Sequence, residues 1–125
     1  VGVYRFRYGY FSHTGGYCAK EVILPAYCFN YPSLPMKGTS ISSEPLLTID
    51  SPNVIIETVK PCEDSEKAFI ARIYESEGSF TSTKLHAGFY IQSLQVCNMM
   101  EQPICDCDQN LIFQPFEIKT IKIKY

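Results

Sequence analysis

With 125 residues, 46% of them hydrophobic and 19% charged, the chain is expected to be one folded domain, residues 1–125, rather than a disordered tail. A formal charge of -2 leaves no basic footprint for nucleic acid, and the only basic cluster, Lys119, Lys122 and Lys124, alternates as a solvated strand face does. No apolar run approaches the roughly 20 residues that a membrane-spanning helix needs, so no membrane role is expected.

Residues 1–11 read V-G-V-Y-R-F-R-Y-G-Y-F, with Tyr4, Phe6, Tyr8 and Tyr10 on one parity and Arg5 and Arg7 on the other. Period two this regular predicts a half-exposed strand. Its aromatic row is expected to be core or sheet-to-sheet packing in preference to a sugar-stacking platform. A strand already under way at Val1 also fits a processed piece of a longer polypeptide. Residues 12–16, S-H-T-G-G, make a turn. Residues 19–26 are open to a helical turn or an extended crossover, and Pro25 limits any helix. Pro32 and Pro35 hold N-Y-P-S-L-P extended, and residues 37–45 form a loop. Residues 46–50 are a short strand, and Ser51-Pro52-Asn53 turns the chain into the next pair.

Residues 53–78 hold two β-branched, apolar runs joined by P-C-E-D-S-E, the marks of two antiparallel strands and a turn. If Lys60 faces Lys67, Val54, Ile56 and Thr58 share a face with Phe69, Ala71 and Ile73. Both faces are largely apolar, which places the pair in the middle of a sheet. In that register Glu57 lies diagonal to Arg72, and an ion pair between them is expected to fix the pairing.

Residues 80–85 and 89–96 are further strands. Residues 99–110 are loop-like and contain Pro103, and a strand resumes at 111–113. The last run, P-F-E-I-K-T-I-K-I-K-Y, is strand-like with a change of phase. Phe116 and Ile118 share one parity, whereas Ile121, Ile123 and Tyr125 share the other. A β-bulge near Lys119 or Thr120 would turn all of them to the core. Seven or eight short strands and no long helix make the class all-β, an antiparallel β-sandwich of two packed sheets.

Chemistry is sparse in the motifs. Six cysteines, at 18, 28, 62, 97, 105 and 107, are unevenly spaced in a chain large enough to fold without staples, so reduced thiols in the cytoplasm are expected. Cys105-Asp106-Cys107 lacks the usual zinc-ligand spacer, and His13 and His86 are distant in sequence, so no metal is expected. No G-x-S-x-G occurs, no Cys/His pair has a recognisable spacing, and no glycine-rich phosphate loop opens a helix. Glu57, Glu63, Asp64, Glu75 and Glu77 cluster about the central pair. A stand-alone glycosidase would need two carboxylates converging at about 5 Å or about 6.5–9.5 Å, and solvated turn carboxylates are the ordinary reading.

Three blocks, I-E-T-V-K-P-C-E-D (56–64), A-R-I-Y-E-S-E-G (71–78) and F-E-I-K-T-I-K-I (116–123), resemble the C-terminal end of the α-mannosidases of glycoside hydrolase family 38. Y-G-Y-F-S-H-T-G-G-Y is similar to a Y-A-L-Y-P-H-x-G-x-W pattern in the cytosolic and bacterial branch, and Phe29-Asn30-Tyr31-Pro32 to its L-N-x-P. Ser12 stands where proline is common, and Tyr17 where tryptophan is.

The resemblance implies a fragment of a larger multidomain enzyme: the C-terminal β-sandwich of a retaining, zinc-dependent α-mannosidase. The nucleophile, acid/base and zinc would lie upstream, and no residue here matches them. The implied partners are the catalytic and middle domains of the same polypeptide, and mannosides through the parent enzyme. An isolated piece should then expose an apolar patch. If any segment reaches substrate it is residues 12–17, with His13, Gly15, Gly16 and Tyr17 as candidates, because a Gly-Gly turn beside a histidine suits close approach. The competing expectation is an independent carbohydrate-binding or adhesion module that stacks sugars on Tyr4, Tyr8 and Tyr10. Solvent-facing, coplanar rings favour the module, and rings packed inside favour the scaffold.

Overall fold

The computed structural model describes residues 2–35, 37–38, 44–64 and 67–125. Val1, Ser65 of the expected turn, Met36 and most of the 37–45 loop lie outside the described residues. Among the described residues eight strands are formed: β1 (Leu47–Ile49), β2 (Val54–Pro61), β3 (Ala68–Glu75), β4 (Thr81–Ala87), β5 (Ser93–Cys97), β6 (Pro103–Cys107), β7 (Asn110–Phe113) and β8 (Ile118–Lys124). They pair antiparallel into a five-stranded sheet, β2-β3-β8-β5-β6, and a three-stranded sheet, β1-β4-β7. The class is thus the expected β-sandwich.

The core lies between the sheets. Val54, Ala71, Ile73, Leu94, Ile121 and Ile123 meet Leu85, Leu111 and Phe113 from the smaller sheet. Each fully buried Ile or Phe removes enough apolar surface from water to stabilise by about 2–3 kcal/mol. Alternation explains the choice of faces: in β4, Thr81, Thr83 and Leu85 are buried while Ser82 and Lys84 are exposed. The two inward threonines remain satisfied, because Thr83 Oγ1 accepts the Ser51 N–H at 3.0 Å and Thr81 Oγ1 accepts the Asn53 amide at 2.7 Å.

The central pair exists, but in another register. Pro61 lies opposite Phe69, Lys60 opposite Ile70 and Val54 opposite Glu75. The Cys62 N–H reaches the Ala68 carbonyl at 2.9 Å, which leaves Lys67 in the turn and not across from Lys60. The pairing shifts between Ile56 and Thr58, so Glu57 is the extra residue of a β-bulge. Val54 and Ile56 keep the expected company of Ala71 and Ile73, whereas Thr58 is turned to the face of Arg72 and Ile70. Only β3 is central; β2 is an edge strand, and its second half is largely exposed.

Three other expectations give way. β8 has no bulge: it pairs with β3 from Ile118 to Lys124 and with β5 from Thr120 to Lys124 without a shift. Phe116 and Ile118 consequently stay exposed, at 68% and 71%. On the inward parity, Lys119 lays its Nζ 5.5 Å from the Phe113 ring centroid and pairs with Glu117 at 2.6 Å. Residues 99–110 include a strand, β6, because its proline opens an edge strand whose missing N–H breaks no ladder. Residues 2–11 form no strand, since no edge of either sheet pairs with them.

Candidate functional site

The segment 19–30 is helical. A single wide turn, Ala19–Ile23, runs into helix α1 (Leu24–Asn30), with Pro25 just past the junction of the two. Among the described residues, two polar contacts tie this piece to the sandwich. The N–H of Ala19, which is fully buried, donates to Glu77 Oε1 at 2.8 Å, and the Tyr27 and Tyr74 hydroxyls lie 3.4 Å apart. Burial, then the Tyr27 contact, pushes the Tyr74 hydroxyl pKa upward.

Residues 2–17 run back along α1. The Arg7 guanidinium sits 4.7 Å from the Phe29 ring centroid and donates to the Phe29 carbonyl. A Cβ on Gly9 would meet the same ring at 3.2 Å, so the two segments approach closely there. Between them opens a groove of 410 Å³ whose walls include Tyr10, Phe11, His13, Glu21, Phe29 and Asn30. The volume suits a small ligand.

The candidates from the sequence are only partly brought together. His13 lines that groove and, with Glu21, a shallow depression beside it. Tyr17 lines a different groove, with Val22, Tyr27 and Tyr31. Gly15, at φ +83°, and Gly16 have nothing within 4 Å of a notional Cβ, so the Gly-Gly turn makes no close approach in this chain. Glu21 escaped the sequence reading, which left 19–26 open between helix and crossover; Phe29 and Asn30 entered it only through the L-N-x-P resemblance and not as groove residues. The signal was Pro25 in a first turn.

Among the carboxylates, Glu75 is buried and fully engaged. Its Oε1 accepts the Asn53 amide and the Glu77 N–H; its Oε2 accepts the N–H groups of Gly78, Ser79 and Phe116, all at 2.8–3.1 Å. Burial by itself would raise its pKa, but these donors together outweigh it and hold the group at about 2. Such a carboxylate stays ionised and has no lone pair left for proton transfer. Glu101 is also buried, at φ +64°, paired with Lys60 and accepting the Glu63 N–H at 3.2 Å. The Lys60 contact first, then the Glu63 N–H, draws its pKa down against the effect of burial. The expected Glu57–Arg72 ion pair is not among the contacts of the described residues. Glu57 sits in the bulge, and Arg72 donates to the Met99 carbonyl at 3.5 Å.

All six cysteines are free thiols, and burial raises the pKa of Cys97 and Cys107. Among the described residues no three His, Cys, Asp or Glu side chains converge as a metal-holding group. His86 Nε2 instead lies 2.9 Å from Asp50 Oδ1 across the β1–β4 pair. No described helix is long and apolar enough to cross a membrane.

The aromatic row departs from the packing expected of it. Tyr4, Phe6, Tyr8 and Tyr10 are 86–94% exposed, and no two of them form a ring pair among the described residues. They face solvent.

Comparison with known proteins bears on the whole chain. The family model "Glycosyl hydrolases family 38 C-terminal beta sandwich domain" matches residues 53–121, more than half of the sequence. The chain is similar to "Alpha-mannosidase 2C1" of Homo sapiens, at 30% identity, and of Mus musculus, at 28%. Each similarity covers 97% of this chain but only 13% of the relative's own length.

Proposed function

The chain belongs to the family 38 glycosyl hydrolase C-terminal β-sandwich domains, and from that membership we propose that it is the non-catalytic C-terminal domain of a retaining, zinc-dependent α-mannosidase. The whole polypeptide hydrolyses terminal α-mannosyl residues in the cytoplasm, and this domain packs against its catalytic and middle parts and braces the mannose site. The observation that carries the reading is similarity to α-mannosidases along nearly the whole chain, including the stretch before the sandwich.

Two features of the molecule support the bracing role. Its buried carboxylates are committed to holding loops, and its N-terminal aromatics lie open for a neighbour to cover. No residue of this chain is assigned to the zinc, which this reading places in the part of the polypeptide upstream of the sandwich. Should any segment here reach substrate, His13 is the residue best placed, beside Glu21 and Asn30 in the α1 groove.

The test is an aryl α-mannoside assay on the full-length polypeptide. Chelation should abolish turnover and zinc should restore it. Turnover by this 125-residue chain by itself, without zinc, would overturn the reading. Exposure of Tyr4, Tyr8 and Tyr10 favours a second reading, a carbohydrate-binding module. That reading predicts saturable binding of a manno-oligosaccharide that Tyr8→Ala removes; no binding, or binding unchanged by Tyr8→Ala, would exclude it.

A further inference from the structure

We infer that residues 2–11 are a β-strand whose sheet lies elsewhere in the longer polypeptide: the segment adds to the edge of a sheet preceding this sandwich and buries Tyr4, Phe6, Tyr8 and Tyr10 there. The placement rests on reading the chain as one domain of a larger protein.

Three observations meet in this segment. First, its sequence keeps period two from Tyr4 to Tyr10, which a chain with no sheet to join has no reason to keep. Second, its main chain is unpaired: among the described residues no backbone hydrogen bond joins residues 2–17 to any other segment. Main-chain N–H and C=O groups flanked by large apolar side chains are a ready template for strand addition. Third, its two faces are unequal. On the odd face, Arg7 and Gly9 are seated on Phe29 of α1 while Val3 and Phe11 stay exposed; on the even face Tyr4, Phe6, Tyr8 and Tyr10 are all at least 86% exposed. A segment held on one face at its middle, bare on its aromatic face and free on both edges fits between a helix and a sheet.

The occupant follows from where similarity begins. The sandwich family starts at residue 53, so residues 2–11 lie outside it. Yet resemblance to the mannosidases runs over 97% of the chain and only 13% of theirs, so the segment has a counterpart with far more polypeptide around it. An edge strand of that polypeptide is a covalently tethered partner, present at high effective concentration.

Hydrogen–deuterium exchange on the full-length polypeptide tests this. Alternate amides of residues 3–11, those on the side paired with the sheet edge, should exchange at least about 100-fold more slowly than those of the exposed bend at 14–16, at every protein concentration, and trypsin should leave Arg5 and Arg7 uncut. Exchange as fast as the bend overturns the inference. So does protection that grows with protein concentration, because the occupant is then a second copy. Mannosidase activity read on the same sample separates this inference from the functional reading. An active protein with unprotected amides removes only the strand; a protected segment in an inactive protein removes only the mannosidase.

Discussion

Glu75 is the residue on which two loops close. One carboxylate collects five donors from Asn53, the 77–79 turn and Phe116, so it ties the end of β3 to the turns that enter β4 and β8. Replacing it by Gln keeps the shape but turns one acceptor oxygen into a donor facing backbone N–H groups. Glu75→Gln should therefore cost about 3 kcal/mol in urea unfolding, the scale of buried charged hydrogen bonds left unmade. The pH dependence follows from the same geometry. The folded state holds this group at about 2, against an ordinary 4.5, so it binds the proton more weakly than the unfolded chain does. Its stabilisation is full above the ordinary value, fades as pH falls below it and is gone once pH passes the folded value. Unfolding free energy measured between pH 5 and pH 2 should fall less steeply in Glu75→Gln than in the parent; equal slopes would show that Glu75 is not the group being titrated.

At the scale of elements, β8 makes the clearest contrast. It runs straight, so Ile121 is wholly buried between the sheets while Ile118 is 71% exposed. Ile121→Ala should cost about 3 kcal/mol and Ile118→Ala less than about 0.5, both read from denaturant midpoints. A bulge at Lys119 or Thr120 would have made the two costs similar. The turns beside it interlock: Gly78 has φ +73°, and a Cβ there would stand 2.7 Å from the Phe116 ring. Gly78→Ala should destabilise by about 1–3 kcal/mol, and adding Phe116→Ala should recover the part due to the clash. Strands with β-branched runs were legible because side chains alternate between the two faces of a sheet: β4 shows it as buried and exposed positions in turn, while β3 and β8, central in their sheet, are covered on both faces, Lys122 of β8 included. What stayed hidden depended on distant partners. The Glu57 bulge is set by how Cys62 closes the turn on Ala68, and β6 reads as loop because its Pro103 needs no ladder partner. The α1 groove was invisible for the same reason: Phe29 meets Arg7 and Gly9 across twenty residues of sequence.

The molecule as a whole divides into a sandwich and an arm. All eight strands lie in residues 47–124, and the core between the sheets draws on them and the loops that join them. The arm and α1 reach that body through the Ala19 N–H on Glu77 and the paired hydroxyls of Tyr27 and Tyr74. Two hydrogen bonds of this kind are worth about 1–2 kcal/mol together. For a body of this size that corresponds to roughly 4–16 °C in melting temperature. A chain shortened to residues 44–125 should therefore unfold in one cooperative transition, lowered by no more than that interval. Calorimetry reads both quantities at once. Loss of the cooperative transition would mean that the arm is part of the folding unit, and its aromatic row would then have to be explained within this domain and not by a neighbour.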